Sequence, residues 1–298
     1  MTVAEKEILT LTEARKAKVA KLCLTSHAHA MDLETVLPWD KGIDKSQWPK
    51  EKDHLWIYGT PYYDQLTEEQ RLEVAWLETA RDISMFIWLE QTLPPLYMGY
   101  INKYYDRLDE ITTEYLMVFS KEEIVHTMTF KRFMELADLK IWTPPDGLHE
   151  LLIETLPNMQ PAAGVLFTLL IEWVAELGAM HTSQGSDIEP MTRQLFKAHH
   201  FDEARHIAFG RWISENYFET APKQEQEQLR AMAKSVVPQF INMFTYNNEI
   251  SKHTSFEFPI QSHEQEKINE IWASENNIRI NNERFAEFYA WLDKLGLR

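Results

Sequence analysis

The chain has 298 residues and carries 46 Asp and Glu against 30 Lys and Arg, a net charge of −16 with a pI near 5.2. That balance excludes a nucleic-acid footprint, which needs clustered basic side chains, and the single cysteine, Cys23, excludes a disulfide framework or a thiolate cluster. Forty-four per cent apolar residues, 12% aromatic residues and only nine glycines predict an all-α globular chain, long enough to bury a core. The N-terminus has no basic segment followed by an apolar run. No apolar stretch is expected to reach the roughly 18 residues that cross a bilayer, so the expectation is a cytoplasmic protein without a membrane partner.

The first helical pattern spans residues 9–33, with Thr10 or Thr12 as N-cap and Cys23 as a small core residue. From Val36 to Tyr63 the pattern dissolves around Pro38, Gly42, Pro49, Gly59 and Pro61, which predicts an ordered, Trp- and Tyr-rich loop lying on the helices. Glu51 and His54 in this loop form a Glu-x-x-His. Pro49 and the neighbouring charges do not belong to a core-facing helix, so the pair reads as a chance match. Thr67-Glu68-Glu69-Gln70 has the form of a capping box and opens a helix to about Leu93, stopped by Pro94-Pro95. Glu90 follows the apolar stretch Ile83–Leu89, where an unpaired carboxylate would be costly.

Further helices are predicted over residues 96–107 and 110–137, then a break at Pro144 and Pro145 and a short helix over 148–156. In the next helix, residues 160–181, Glu172 interrupts an apolar run. Glu176 shares its face one turn later, so either can reach a metal while the other supports it. Asp187 or Glu189-Pro190 opens a helix to residue 217, and Pro222 starts another that runs to 249. A last pattern over 262–295 breaks at Asn276-Asn277. With no fixed-period repeat and no Gly/Ser linker, residues 1–298 read as one domain, with 67–217 as its chemical half.

On the 187–217 helix, His199, Glu203 and His206 stand at offsets of four and three and fall within roughly 60° of one another, whereas His200 lies about 100° off the Glu203 face. Glu122-Glu123-Ile124-Val125-His126 repeats the Glu-x-x-His spacing. One such motif on each of two helices, with a lone Glu from each of two others, is how a four-helix bundle holds two metal ions. Glu90 and Glu172 supply the lone acids. Four carboxylates with two or three imidazoles suit iron or manganese better than zinc, and the four negative charges offset two divalent cations in an apolar bundle.

The order Glu, Glu-x-x-His, Glu, Glu-x-x-His resembles the ferritin-like diiron carboxylate proteins, and the additional His199 is similar to the p-aminobenzoate N-oxygenase (AurF-type) branch, in which a third histidine joins the site. The resemblance rests on residues 67–217. It implies a ferritin-like four-helix bundle core with additional flanking helices, and seven metal ligands: Glu90, Glu123, His126, Glu172, His199, Glu203 and His206. It also implies two iron ions, with manganese as a substitute, dioxygen as co-substrate and an external electron donor.

The activity implied is oxidation of a small-molecule amine or aromatic substrate, an arylamine above all, to a hydroxylamine, nitroso or nitro product. A hydroxylase or desaturase acting on C–H bonds is the alternative. Ferroxidase or iron storage fits least, because the aromatic 36–63 segment has no place in a cage. The resemblance further implies that Asp202 holds His126 and Glu122 holds His206 across the bundle. Arg81, Arg193, Arg205 and Arg211 are the candidates to hold a substrate carboxylate, and a homodimer is left open.

Overall fold

A computed structural model describes residues 9–144, 147–245 and 247–298, with side chains outside 179–183; Pro145, half of the expected break, lies outside the described residues. The described residues form α1 (Glu13–Ala28), α2 (Pro61–Asp64), α3 (Glu68–Glu90), α4 (Leu93–Lys103), α5 (Glu110–Leu136), α6 (Pro161–Gln184), α7 (Pro190–Thr220), α8 (Lys223–Thr245), α9 (Gln265–Trp272), α10 (Glu275–Arg284) and α11 (Ala286–Leu295). Among them there is no β-strand, only two isolated bridges.

Helix starts follow side chains that satisfy otherwise orphaned N–H groups. In the capping box of α3, the Gln70 N–H donates to Thr67 Oγ1 at 3.3 Å and the Thr67 N–H to Gln70 Oε1 at 2.9 Å. Asp109 caps α5 through Thr112 N at 2.9 Å, and Glu189 caps α7 through Thr192 N at 2.7 Å, with Pro190 in the first turn. Pro94 and Pro95, expected to end α3, sit instead in the first turn of α4, where a missing N–H costs nothing. α1 is shorter than expected, beginning after the Thr12 cap. The 148–156 stretch winds as a wide six-residue turn over Glu150–Thr155 and then a tight one over Leu156–Asn158. Asn276 and Asn277 do not break a helix. They lie in the first turn of α10, whose cap is Ser274.

Four helices enclose the core: α3 packs on α5, α6 on α7, and contacts of α3 with α6 and of α5 with α7 close the ring. α1 lies against α5 and α7, and α8 against α6. The approach of α7 to α6 depends on Gly210, where a Cβ would stand 2.9 Å from Leu169 Cβ. That contact is one turn beyond His206 and one turn before Glu172, so it sets the spacing across the future site. The apolar run Pro161–Gly178 does reach the length and hydropathy of a membrane span, against expectation, but 89% of it is buried within the bundle as the helix that faces most of the core.

The 36–63 segment lies on the bundle, as its composition predicts. Trp76 Nε1 donates to the carbonyl of Lys45, the Glu189 N–H to that of Trp48, and Lys50 Nζ bonds Asp82 at 2.9 Å and Glu78 at 3.2 Å. Asn276 and Asn277 hold the carbonyls of Asp53 and Trp56 from the other side.

Candidate metal centre

Each core helix delivers acids or imidazoles to one buried volume: Glu90 from the last turn of α3, Glu122, Glu123 and His126 from α5, Glu172 and Glu176 from α6, and His199, Asp202, Glu203 and His206 from α7. Two overlapping groups have ligand atoms within 4.8 Å of one another, Glu90–His126–His199–Glu203 and Glu123–His126–Glu203–His206. Glu203 Oε1 is their hub. It lies 3.4 Å from His126 Nδ1, 3.4 Å from His199 Nε2 and 3.1 Å from His206 Nδ1. Six of the seven expected residues therefore converge, and the seventh, Glu172, is buried on α6 within reach of the charges of Glu203 and Glu123. Neither Glu51 nor His54 joins either group.

The outward ring nitrogens are held by carboxylates. His126 Nε2 is 3.0 Å from Asp202 Oδ2 and His206 Nε2 is 2.9 Å from Glu122 Oε2, the cross-bundle pairing the sequence resemblance implied. Such partners fix the tautomer and raise the basicity of the nitrogen that faces a metal. Both acids are tied together by Arg205, whose Nη2 donates to Glu122 Oε1 at 2.7 Å and Asp202 Oδ1 at 2.5 Å while its Nε donates to Ser26 on α1. Arg205 is thus spent on the scaffold and is not a holder of substrate. Arg193 is likewise used on the carbonyls of Gly185 and Ser186, and Arg211 on Glu287.

His199 is built differently. Its Nε2 faces the cluster, 2.7 Å from Glu90 Oε1, and its Nδ1 stands 3.2 Å from Glu176 Oε2. Glu176 Oε1 in turn meets His200 Nδ1 at 2.6 Å. Glu176 thus stands against two histidines, while the buried carboxyl of Glu172 lies where the charges of Glu203 and Glu123 act on it. Sequence periodicity set His200 aside as off-face, and its role as the brace of Glu176 is visible only with α6 in place. Aromatic rings pack the imidazoles, Phe119 stacked on His206 at 3.6 Å, and Phe86 and Phe130 edge-on to His199 at 4.9 Å.

The electrostatics call for cations. Glu90 Oε2, both oxygens of Glu123, His126 Nδ1 and Glu172 Oε1 are buried without a hydrogen bond among the described residues, an arrangement that costs free energy unless something else binds there. Burial pushes the Glu90 carboxyl up to about 7 despite the pull of His199. Glu172 is driven well above the carboxylate range by burial and then by the charges of Glu203 and Glu123. Glu203 moves the other way, to about 2, because His206 and His199 outweigh its burial. Acids forced to opposite extremes within a few ångströms are short of positive charge, and two divalent cations would supply it.

A closed four-helix ring with paired Glu-x-x-His motifs and this Glu/His cluster defines a ferritin-like dimetal carboxylate protein. The profile of the P-aminobenzoate N-oxygenase AurF family matches residues 12–296, and the chain belongs to that family. The match takes in the flanks that residues 67–217 alone did not claim. The chain is accordingly an oxidoreductase, a diiron oxygenase by family, acting on small molecules. Among solved structures it is similar to R2-like ligand-binding oxidases with an aerobically reconstituted Mn/Fe cofactor: two mutants give a TM-score of 0.58 at 15% and 16% identity, one covering 94% of each chain and the other 93%. These likenesses speak for the fold. The comparison with curated proteins finds no match.

Proposed function

We propose that residues 1–298 are one ferritin-like unit in which Glu90, Glu123, His126, Glu172, His199, Glu203 and His206 hold two iron ions, and that the enzyme oxidises an amine, an arylamine above all, at nitrogen. When bound, the metal pair supplies the reduction of dioxygen, with electrons from an external donor. The first step balances as amine, dioxygen, two electrons and two protons giving hydroxylamine and water; repetition leads to nitroso and nitro products.

The observation that carries this reading is the placement of His199. Its Nε2 is turned into the cluster beside Glu90 and Glu203, adding to the six-residue set a third imidazole that is neutral once a metal takes the place of its proton. A neutral donor stabilises an oxidised metal without adding negative charge. The protein's further contribution is to keep the site dry, with Phe86, Phe119 and Phe130 against the imidazoles, and to hold each ring through a carboxylate.

The test is to load the protein with ferrous iron, mix it with isotope-labelled dioxygen, a reductant and an arylamine, and locate the label by mass spectrometry. Label on nitrogen is the expected result. Label on carbon alone would replace this reading with the hydroxylase alternative.

A further inference from the structure

The seven metal-centre residues are all buried, so an electron that enters or leaves the site must cross protein. Tunnelling falls exponentially with distance, and an aromatic side chain that can itself be oxidised shortens each jump. Trp173 follows Glu172 directly on α6, its Cα about 3.8 Å further on, and its ring meets α11. There it stands 5.5 Å from Trp291 and 5.3 Å from Phe288, centroid to centroid. Trp291 is buried, and its Nε1 donates to Glu215 Oε1 at 3.2 Å. Lys294 Nζ meets the same oxygen at 3.1 Å from a side chain that is 65% exposed, so this file of groups ends in solvent.

Charges give the file a direction. The Arg211 guanidinium, held by Glu287, lies 5.0 Å from the centre of the Trp173 ring, and a cation there disfavours positive charge on that indole. Trp291 faces a carboxylate instead, which favours positive charge and can take the indole proton. The tyrosines within reach of the cluster's charges, Tyr97 and Tyr115, have no such acceptor. Tyr97 Oη lies 2.8 Å from Thr168 Oγ1, and that hydroxyl donates to the Val165 carbonyl at 3.0 Å, so Tyr97 donates to Thr168 and its proton meets no base. Tyr115 Oη is buried without a hydrogen bond among the described residues. Trp39, Trp76 and Trp88 donate to backbone carbonyls.

We propose that Trp173 and Trp291 relay an oxidising equivalent from the metal centre to the surface when no substrate is there to take it. Trp173 gives one electron to the metal pair that dioxygen has oxidised and regains one from Trp291, whose N–H bond breaks as the proton passes to Glu215. The metal pair is reduced by one electron, and Trp291 is left as a neutral indolyl radical. An external one-electron reductant then restores Trp291, which recovers its proton from Glu215. The proposal rests on the metal ligation above and is independent of the substrate.

Freeze-quench electron paramagnetic resonance tests it, on iron-loaded protein mixed with dioxygen and no amine. The expected result is an organic radical whose hyperfine pattern narrows with indole-deuterated tryptophan and not with ring-deuterated tyrosine, and which ascorbate removes. Trp173→Phe and Trp291→Phe should each lose the signal, and Tyr97→Phe should keep it. Glu215→Gln preserves the shape of the acceptor and keeps the test open if a tryptophan variant does not fold. Radical formation should slow in deuterated solvent in the wild type and lose that isotope effect in Glu215→Gln, which a merely structural Glu215 would not cause. After repeated cycles without reductant, peptide mass spectrometry should find added oxygen at Trp291. A tyrosine signal lost in Tyr97→Phe, an indole signal that survives both tryptophan changes, or an isotope effect kept in Glu215→Gln overturns the relay. Iron that is bound and oxidised with no organic radical overturns the relay and leaves the metal reading standing, whereas failure to bind iron overturns both.

Discussion

The two ends of the metal centre are braced in unlike ways. Around His126 and His206 the supporting acids come from the opposite helix, and Arg205 ties Asp202 and Glu122 to each other and, through Ser26, to α1. Around His199 the support is a single file, Glu176 and then His200, and the His200 side chain is 34% exposed. The first end is a closed loop of charge-assisted bonds in which each member fixes two others. The second hangs from one contact that opens to solvent. A closed network resists the loss of one member less gracefully than a chain does, because removal leaves several buried charges unpaired.

Mutations can break or sharpen that contrast. Glu203→Ala removes the atom that all three imidazoles approach, and metal content measured by elemental analysis should fall from about two per chain to near none. Arg205→Met leaves Glu122 and Asp202 buried against each other. Urea unfolding should report a loss of roughly 3 kcal/mol, and chelator competition a 10- to 100-fold fall in metal affinity; retention of wild-type stability would show that the closed loop carries no weight.

His199→Ala belongs to the weaker end. It should fold, keep most of its metal and lose N-oxygenation, and full arylamine oxidation by this variant would return the chain to an unspecified diiron enzyme. Glu176→Gln should lower affinity at the Glu90–His199 end by about tenfold while the other end holds, a split that two-phase chelator titration resolves. The smallest effect is expected from His200→Ala, a few-fold change at that same end. If its loss equals that of Arg205→Met, the two ends are braced alike and the comparison fails.

Local sequence rules made much of this legible. Helix identity followed from periodicity and caps that act within four residues, which is why the Thr67 capping box and the paired Glu-x-x-His motifs were found where their spacing put them. The partners Asp202–His126 and Glu122–His206 followed from resemblance to the paired motifs, since adjacent acids on facing helices are exchanged across the bundle.

What the sequence by itself determined, then, was which side chains share a helical face: His199, Glu203 and His206 on one, Glu123 and His126 on another. It could not show that Glu176, on one face of α6 with Glu172, stands against His199 and His200, because that depends on how α6 packs on α7, whose close approach needs Gly210. Nor could it assign Arg205 to the scaffold. A guanidinium reaches several ångströms from its backbone, and two of the partners of Arg205, Glu122 and Ser26, lie far along the chain and meet it only through tertiary packing.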